Sequence, residues 1–183
     1  GIAFTVHAPN IDESLLPKEK MHQAITRLAI QKAKAVAQHH PNALIIACDQ
    51  LVQVNNTILG KPHTHQQAVT QLQLCSNATL ESATALCVYN AHNDTCHQCV
   101  VPYEVTFKPL TDDIINRYLK RDQPYHCAGS IKAEGLGITL FQSMHGNDPT
   151  ALTGLPLIAL THYLTLEGCD PLGSQQAHRE TIT

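Results

Sequence analysis

The sequence predicts a mixed α/β fold, a β-sheet flanked by helices. Three observations lead there. Segments with two-residue alternation are interspersed with segments of helical period, not sorted into separate halves. A short apolar run, Ala43 to Cys48, reads as a strand covered on both faces. Residues 79–89 and 101–107 read as long strands linked as an antiparallel hairpin, with Val101, Tyr103, Val105 and Phe107 alternating cleanly. At 183 residues and 43% hydrophobic, the chain can bury a core, which excludes the disordered class. One domain over 1–168 is expected, followed by a polar C-terminal tail, 169–183.

The elements follow in order. Ile2, Phe4 and Val6 alternate with Ala3, Thr5 and His7, so residues 1–9 read as the end of a strand. Residues 18–38 carry helical period, with Met21, Ile25, Leu28, Ala29, Lys32 and Val36 on one stripe, and Pro41-Asn42 stops it. Asn55-Asn56 sits between 51–54 and 57–59 as a tight hairpin turn. Thr64 caps a helix over 65–75 that turns Ala68, Val69 and Leu72 inward. Thr111 opens another, with Asp112 and Asp113 suited to its positive N-terminal end. Residues 125–141 read as a flexible glycine-bearing loop running into a strand at 138–141. Gly154-Leu155-Pro156 opens the last helix, which Gly168 ends.

Charge and composition narrow the function. The balance of 12 basic against 15 acidic residues gives a net charge of −3, with no basic stripe, which argues against a nucleic acid polymer as partner. A local lysine cluster for one anionic small molecule remains open. Trp is absent and aromatics are 4%, so stacking platforms for single strands lack residues. No apolar run approaches the roughly 18–20 residues of a membrane span, so no membrane partner is expected. The 7 cysteines show no framework spacing and are expected as free thiols in a reducing compartment, hence a cytoplasmic protein. Cys96-x-x-Cys99 lacks a matched second ligand pair and reads as incidental thiols in a surface hairpin loop, not as a zinc site.

The candidate chemistry lies in a few places. Asp49-Gln50 closes the buried run, where α/β sheets place their ligands, and a carboxylate there can take a proton from water or hold a metal. A turn or cap role is the bland alternative. Lys61, between Gly60 and Pro62, sits on a stiff turn suited to a phosphate contact or merely to solvent. Lys32 falls on the apolar side of its helix, as a cleft charge or a snorkelling stem. Asp12-Glu13 offers adjacent carboxylates for a metal or a helix cap. Glu134 stands beside Lys132 in the glycine loop.

Four separated motifs, Leu44-Ile45-Ile46-Ala47-Cys48-Asp49-Gln50, Gly60-Lys61-Pro62, His126-Cys127-Ala128-Gly129-Ser130 and Gly154-Leu155-Pro156-Leu157, occur in order. Together they are similar to the Maf family of nucleoside triphosphate pyrophosphatases, over about residues 1–168. Asp49-Gln50 and Ser130-Ile131-Lys132-Ala133-Glu134-Gly135 most resemble its 7-methyl-GTP subgroup. The resemblance implies a Maf/ITPase-like architecture, an elongated sheet with two lobes and a cleft. It implies hydrolysis of 7-methyl-GTP to 7-methyl-GMP and diphosphate, removing a modified nucleoside triphosphate from the pool. It puts the proton acceptor on Asp49, with Glu13, Lys32 and Lys61 as further catalytic positions. Substrate specificity falls on Gln50 and Glu134. A divalent cation, Mg²⁺ or Mn²⁺, is expected on Glu13 and Asp49, with further phosphate donors from the first turn after Gly154. A homodimer is implied as well.

One departure stands out. The family's Ser-x-Ser-x-x-Arg phosphate turn and the strand before it have no counterpart, and in this alignment both fall ahead of Gly1. Two alternatives stay open here: a dTTP or UTP pyrophosphatase of the same fold, and a non-catalytic septum-formation inhibitor that acts by binding a partner. Gln50 and Glu134 weigh against the first. The retained Asp49, Lys61 and Glu134 weigh against the second.

Overall fold

The computed structural model describes residues 2–173. Its centre is a five-stranded sheet in the order β2-β1-β3-β4-β5, and every pairing among the described strands is antiparallel. The strands are β1 (Leu44–Val54), β2 (Thr57–Ile58), β3 (Thr79–Asn90), β4 (Thr95–Phe107) and β5 (Phe141–His145). The helices are α1 (Met21–Ala37), α2 (His65–Cys75), α3 (Asp112–Asp122) and α4 (Leu157–Leu166). The α/β class with an elongated sheet is therefore borne out. β3 and β4 pair along their whole length, from Thr79↔Thr106 to Asn90↔Thr95.

Local rules account for most boundaries. Asn55 and Asn56 both adopt positive φ, 50° and 62°, which the β1–β2 turn needs and Asn tolerates. Thr64 and Thr111 accept the backbone N–H of Gln67 and Ile114, capping α2 and α3. Asp112 and Asp113 sit in the first turn of α3, and Lys120 and Arg121 in its last, each complementing the helix dipole. Gly168, at φ 76°, lets the Cys169 N–H bond back to Leu164 and closes α4.

Packing divides the long sheet into two ends. At one end α1 buries Ile25, Ala29 and Ala33 against Ile45, Ala85 and Cys87 on one face. On the other face there, α4 sets Leu160 and Leu164 on Leu86 and Val88. At the far end a larger core gathers Leu72, Leu80, Phe107, Ile115 and Leu119 beneath α2 and α3. The region between these cores holds the cleft described below. The Ala43–Cys48 run is covered less fully than expected, with Ile45 buried, Ile46 42% exposed and the rest half-buried.

Three expectations need correction. Residues 2–16 form no strand, and Phe4 and Val6 are 80% and 85% exposed. Alternation alone does not make a strand, because its backbone must find a neighbour, and none lies beside this segment among the described residues. The strand expected at 138–141 begins at Phe141 instead, after a 3-10 helix, Leu136–Leu140, that leaves Ile138 exposed. The glycine loop is tied, not flexible. Tyr118 Oη accepts the Lys132 N–H at 3.0 Å, and Asp122 Oδ2 accepts the Leu136 N–H at 2.7 Å. A Cβ on Gly137 would lie 2.5 Å from the Lys132 carbonyl oxygen, so glycine here serves close approach. Of the expected tail, residues 174–183 lie outside the described residues, as does Gly1.

Candidate active site

β1 carries the site. Successive side chains on a strand point to opposite faces, so Asp49 and Gln50 serve opposite sides of the sheet. Asp49 shares the α1 side with Ile45, Ala47 and Leu51, whereas Gln50 shares the other with Cys48 and Val52.

On the α1 side the residues are charged. The Lys32 ammonium, on α1, donates to Asp49 Oδ1 at 2.6 Å and to Glu13 Oε2 at 2.8 Å. Burial raises the Asp49 carboxyl above the usual aspartate range, and the Lys32 hydrogen bond opposes that rise without cancelling it. Burial also works against charge on Lys32, but Asp49 and Glu13 together outweigh it and hold the amine above the usual lysine range. Glu13 reaches the pair because its segment is strapped to α1. Arg27 donates to both oxygens of Glu19, each at 2.7 Å, and to the Ser14 carbonyl at 3.2 Å. The Ser14 N–H in turn donates to Asp12 at 2.9 Å, making a local turn beside Glu13.

On the other side Gln50 meets only neutral partners. Gln50 Nε2 lies 3.0–3.1 Å from four acceptors, Ser82 Oγ, Thr84 Oγ1 and the carbonyls of Ala151 and Leu152. Thr84 is fully buried and donates its own hydroxyl to the Ala151 carbonyl at 2.8 Å. Those carbonyls belong to the 3-10 helix Pro149–Thr153, which begins at Asp148. Asp148 accepts from the Thr150 N–H and from the Ile158 N–H, both at 2.9 Å, and Thr150 Oγ1 accepts the Leu157 N–H at 2.8 Å. Two N–H groups of the first turn of α4, those of Leu157 and Ile158, are thereby used within the protein, which narrows the expectation that this turn offers N–H groups to a phosphate.

Lys61 and Glu134 are exposed and make no hydrogen bond or ion pair among the described residues. Both lie on held backbone. The Gly60 carbonyl beside Lys61 accepts from Gly129 N and Gln71 Nε2, and the Glu134 turn is pinned as above. Glu13, Lys32, Asp49, Gln50, Lys61 and Glu134 all line one cleft of about 610 Å³. Apolar side chains such as Leu28, Val52 and Phe141 complete its walls. A cleft of this size accommodates a nucleotide-sized ligand.

The donor set fits a hard divalent cation. Glu13 and Asp49 each give one oxygen to Lys32, and each second oxygen has no hydrogen-bond partner among the described residues. No third His, Cys, Asp or Glu joins them there. A cation held there would take most of its ligands from water and phosphate oxygens, as Mg²⁺ commonly does. Cys48 and Cys127 also face the cleft, but burial pushes the Cys48 thiol up to about 12 and raises Cys127, so neither is poised as a thiolate. Cys96 and Cys99 lie within β4, not in a loop as expected, and three residues along a strand they point to opposite faces.

A sequence profile described as "Maf-like protein" matches residues 1–167. The chain belongs to the Maf family. Among its Maf relatives, the 7-methyl-GTP pyrophosphatase of Nitrosospira multiformis is 50% identical over 169 residues, covering 92% of this chain and 85% of that protein. The 7-methyl-GTP pyrophosphatase of Methylobacillus flagellatus is 48% identical over 169 residues, covering 92% and 88%. That of Pseudoalteromonas translucida is 45% identical over 175 residues, covering 96% and 87%. Among the described residues, no helix of this Maf chain is long and apolar enough to cross a membrane.

Several residues that build the site went unremarked in the sequence. Ser82 and Thr84 put two hydroxyls on the face of β3 that otherwise carries Leu80, Leu86 and Val88, a period-two signal within 79–89. Asn147-Asp148-Pro149-Thr150 is a turn signal of the Asx kind. Arg27 looked like an ordinary solvated helix charge, and nothing local marks it as the strap that places Glu13.

Proposed function

We propose that this Maf protein hydrolyses 7-methyl-GTP to 7-methyl-GMP and diphosphate. The observation that carries the reading is the convergence of Glu13, Lys32, Asp49, Gln50, Lys61 and Glu134 on one cleft. Relatives of 45–50% identity named for this activity support it.

In the proposed reaction a water oxygen attacks the α-phosphorus. The bond from that phosphorus to the bridging oxygen breaks, and diphosphate leaves. Asp49 takes the proton of the water. Burial makes its carboxylate a better base than an exposed aspartate, while Lys32 at 2.6 Å keeps the ionised form available. Lys61 stands free at the rim to meet phosphate oxygens, and Lys32 steadies charge deeper in the cleft. Glu13 and Asp49 would hold Mg²⁺ or Mn²⁺ through hard carboxylate oxygens. When bound, that ion supplies charge neutralisation for the phosphates and acidifies water.

Recognition of the base follows from charge. N7 methylation makes the guanine ring cationic and its N1–H more acidic, so a carboxylate facing N1–H and the 2-amino group gains twice. Glu134 is that carboxylate, and Gln50 adds a neutral acceptor. Homodimeric assembly and a cytoplasmic setting belong to the same proposal.

The test is diphosphate release in Mg²⁺ or Mn²⁺ from 7-methyl-GTP, GTP, dTTP and UTP. Preferential release from 7-methyl-GTP is expected. Preference for dTTP or UTP would replace the substrate, and silence on all four from folded protein would favour a partner-binding role.

A further inference from the structure

We infer that Thr84 is a positioning residue that fixes which atom of Gln50 meets the base, and so sets base selectivity. The inference rests on the substrate reading above and extends it to a residue outside the cleft's catalytic set.

The amide of Gln50 has two ends of similar shape, an oxygen that accepts and a nitrogen that donates. Its surroundings decide between them. The carbonyl oxygens of Ala151 and Leu152 stand 3.0 and 3.1 Å from one end of the amide. Carbonyls only accept, so that end must be NH₂. Thr84 closes the alternative. Its single hydroxyl hydrogen goes to the Ala151 carbonyl at 2.8 Å, leaving its oxygen only lone pairs for Gln50 at 3.0 Å. Ser82 Oγ at 3.1 Å adds a further acceptor. Two hydrogens face four acceptors, so NH₂ is fully engaged within the protein. The Oε1 atom has no protein partner among the described residues, and Gln50 lines the cleft. Gln50 therefore presents an acceptor to the ligand. Gln50 and the Glu134 carboxylate then both present acceptors, which fits the N1–H and 2-amino donors of guanine and disfavours the N1 acceptor of adenine.

Without the Thr84 hydroxyl, the Pro149–Thr153 turn loses its tie to β3, so its two carbonyls no longer stay where they hold the NH₂ end of Gln50 away from the base. Thr84→Val removes the hydroxyl at nearly constant shape, and Thr84→Ser restores it. Two readouts are used. The first is the side-chain amide resonance pair of Gln50 in the ligand-free protein, assigned by its disappearance in Gln50→Leu. Slow solvent exchange is expected in the wild type and in Thr84→Ser, and fast exchange in Thr84→Val. The second is the ratio of kcat/KM for 7-methyl-GTP over ATP. Thr84→Val should narrow it about tenfold, the worth of one hydrogen bond of roughly 1.4 kcal/mol, chiefly through KM, with Thr84→Ser near wild type. Unchanged Gln50 exchange in Thr84→Val, or equal losses on both nucleotides, would overturn the inference. Wild-type silence on 7-methyl-GTP would instead remove the substrate reading, with the exchange measurement still deciding the orientation of Gln50.

Discussion

The two sides of β1 meet the same cleft with different chemistry. On the α1 side, Glu13, Lys32 and Asp49 are charged and hold one another at 2.6–2.8 Å. On the opposite side, Gln50, Ser82 and Thr84 are neutral and hold the backbone of Pro149–Thr153. Neighbouring residues on one strand are thereby available for the separate tasks proposed for them, proton transfer at Asp49 and base reading at Gln50. The strand's two-residue period keeps them apart without any loop between them. The ion-paired Asp49 and the amide of Gln50 therefore respond to different perturbations.

The largest effect should come from breaking the charged side at its centre. Asp49→Asn keeps the shape and removes the base, so kcat is expected to fall about 10²–10⁴-fold with the fold retained by circular dichroism. Turnover at the wild-type rate would remove Asp49 from the chemistry.

Lys32→Met sharpens the same side through pH. Lys32 is what opposes the burial-driven rise of the Asp49 carboxyl, so its loss lets that carboxyl rise further. The acid limb of the kcat/KM profile should move to higher pH. A limb that stays put, or moves to lower pH, would show that another group sets it.

The recognition side is probed by Glu134→Gln, which exchanges a charged acceptor for a neutral amide. Loss on 7-methyl-GTP should exceed loss on GTP by about tenfold, since hydrogen bonds to charged groups exceed neutral ones by roughly 1 kcal/mol or more. Equal losses would place Glu134 away from the base.

The smallest effect concerns the strap beneath the charged side. Arg27 holds the Glu19 carboxyl down to about 2. A depressed folded value stabilises the protein above the ordinary glutamate range near roughly 4.3, and that stabilisation is lost as pH falls towards 2. Glu19→Gln should flatten the melting temperature over that interval, whereas an unchanged slope would exclude the pair.

What the sequence disclosed depended on how local the cause was. The Thr64 and Thr111 caps, the Asn55-Asn56 turn and the α1 stripe are set by neighbours within a few residues, and each appears where those residues indicate. Asp49 was expected at the C-terminal end of a strand, but β1 runs on to Val54 and Asp49 lies mid-strand, while the roles of Glu13, Lys61 and Glu134 came from family resemblance. Distant partners decided the rest. Ile2, Phe4 and Val6 alternate like a strand, yet no neighbouring strand meets them among the described residues. The α4 first turn looked open, but Asp148 and Thr150 from the preceding turn take two of its N–H groups. Gly135 and Gly137 suggested motion, yet contacts with Asp122 and Lys132 make them points of close packing.

The most direct test of the division between the two sides is a paired kinetic comparison of Asp49→Asn and Gln50→Leu on 7-methyl-GTP and GTP. The division predicts that Asp49→Asn lowers kcat on both nucleotides by the same factor, leaving their ratio unchanged. Gln50→Leu should keep most of kcat while raising KM and shifting that ratio. The same pattern from both variants, whether a shared loss of kcat or a shared change in selectivity, would contradict it.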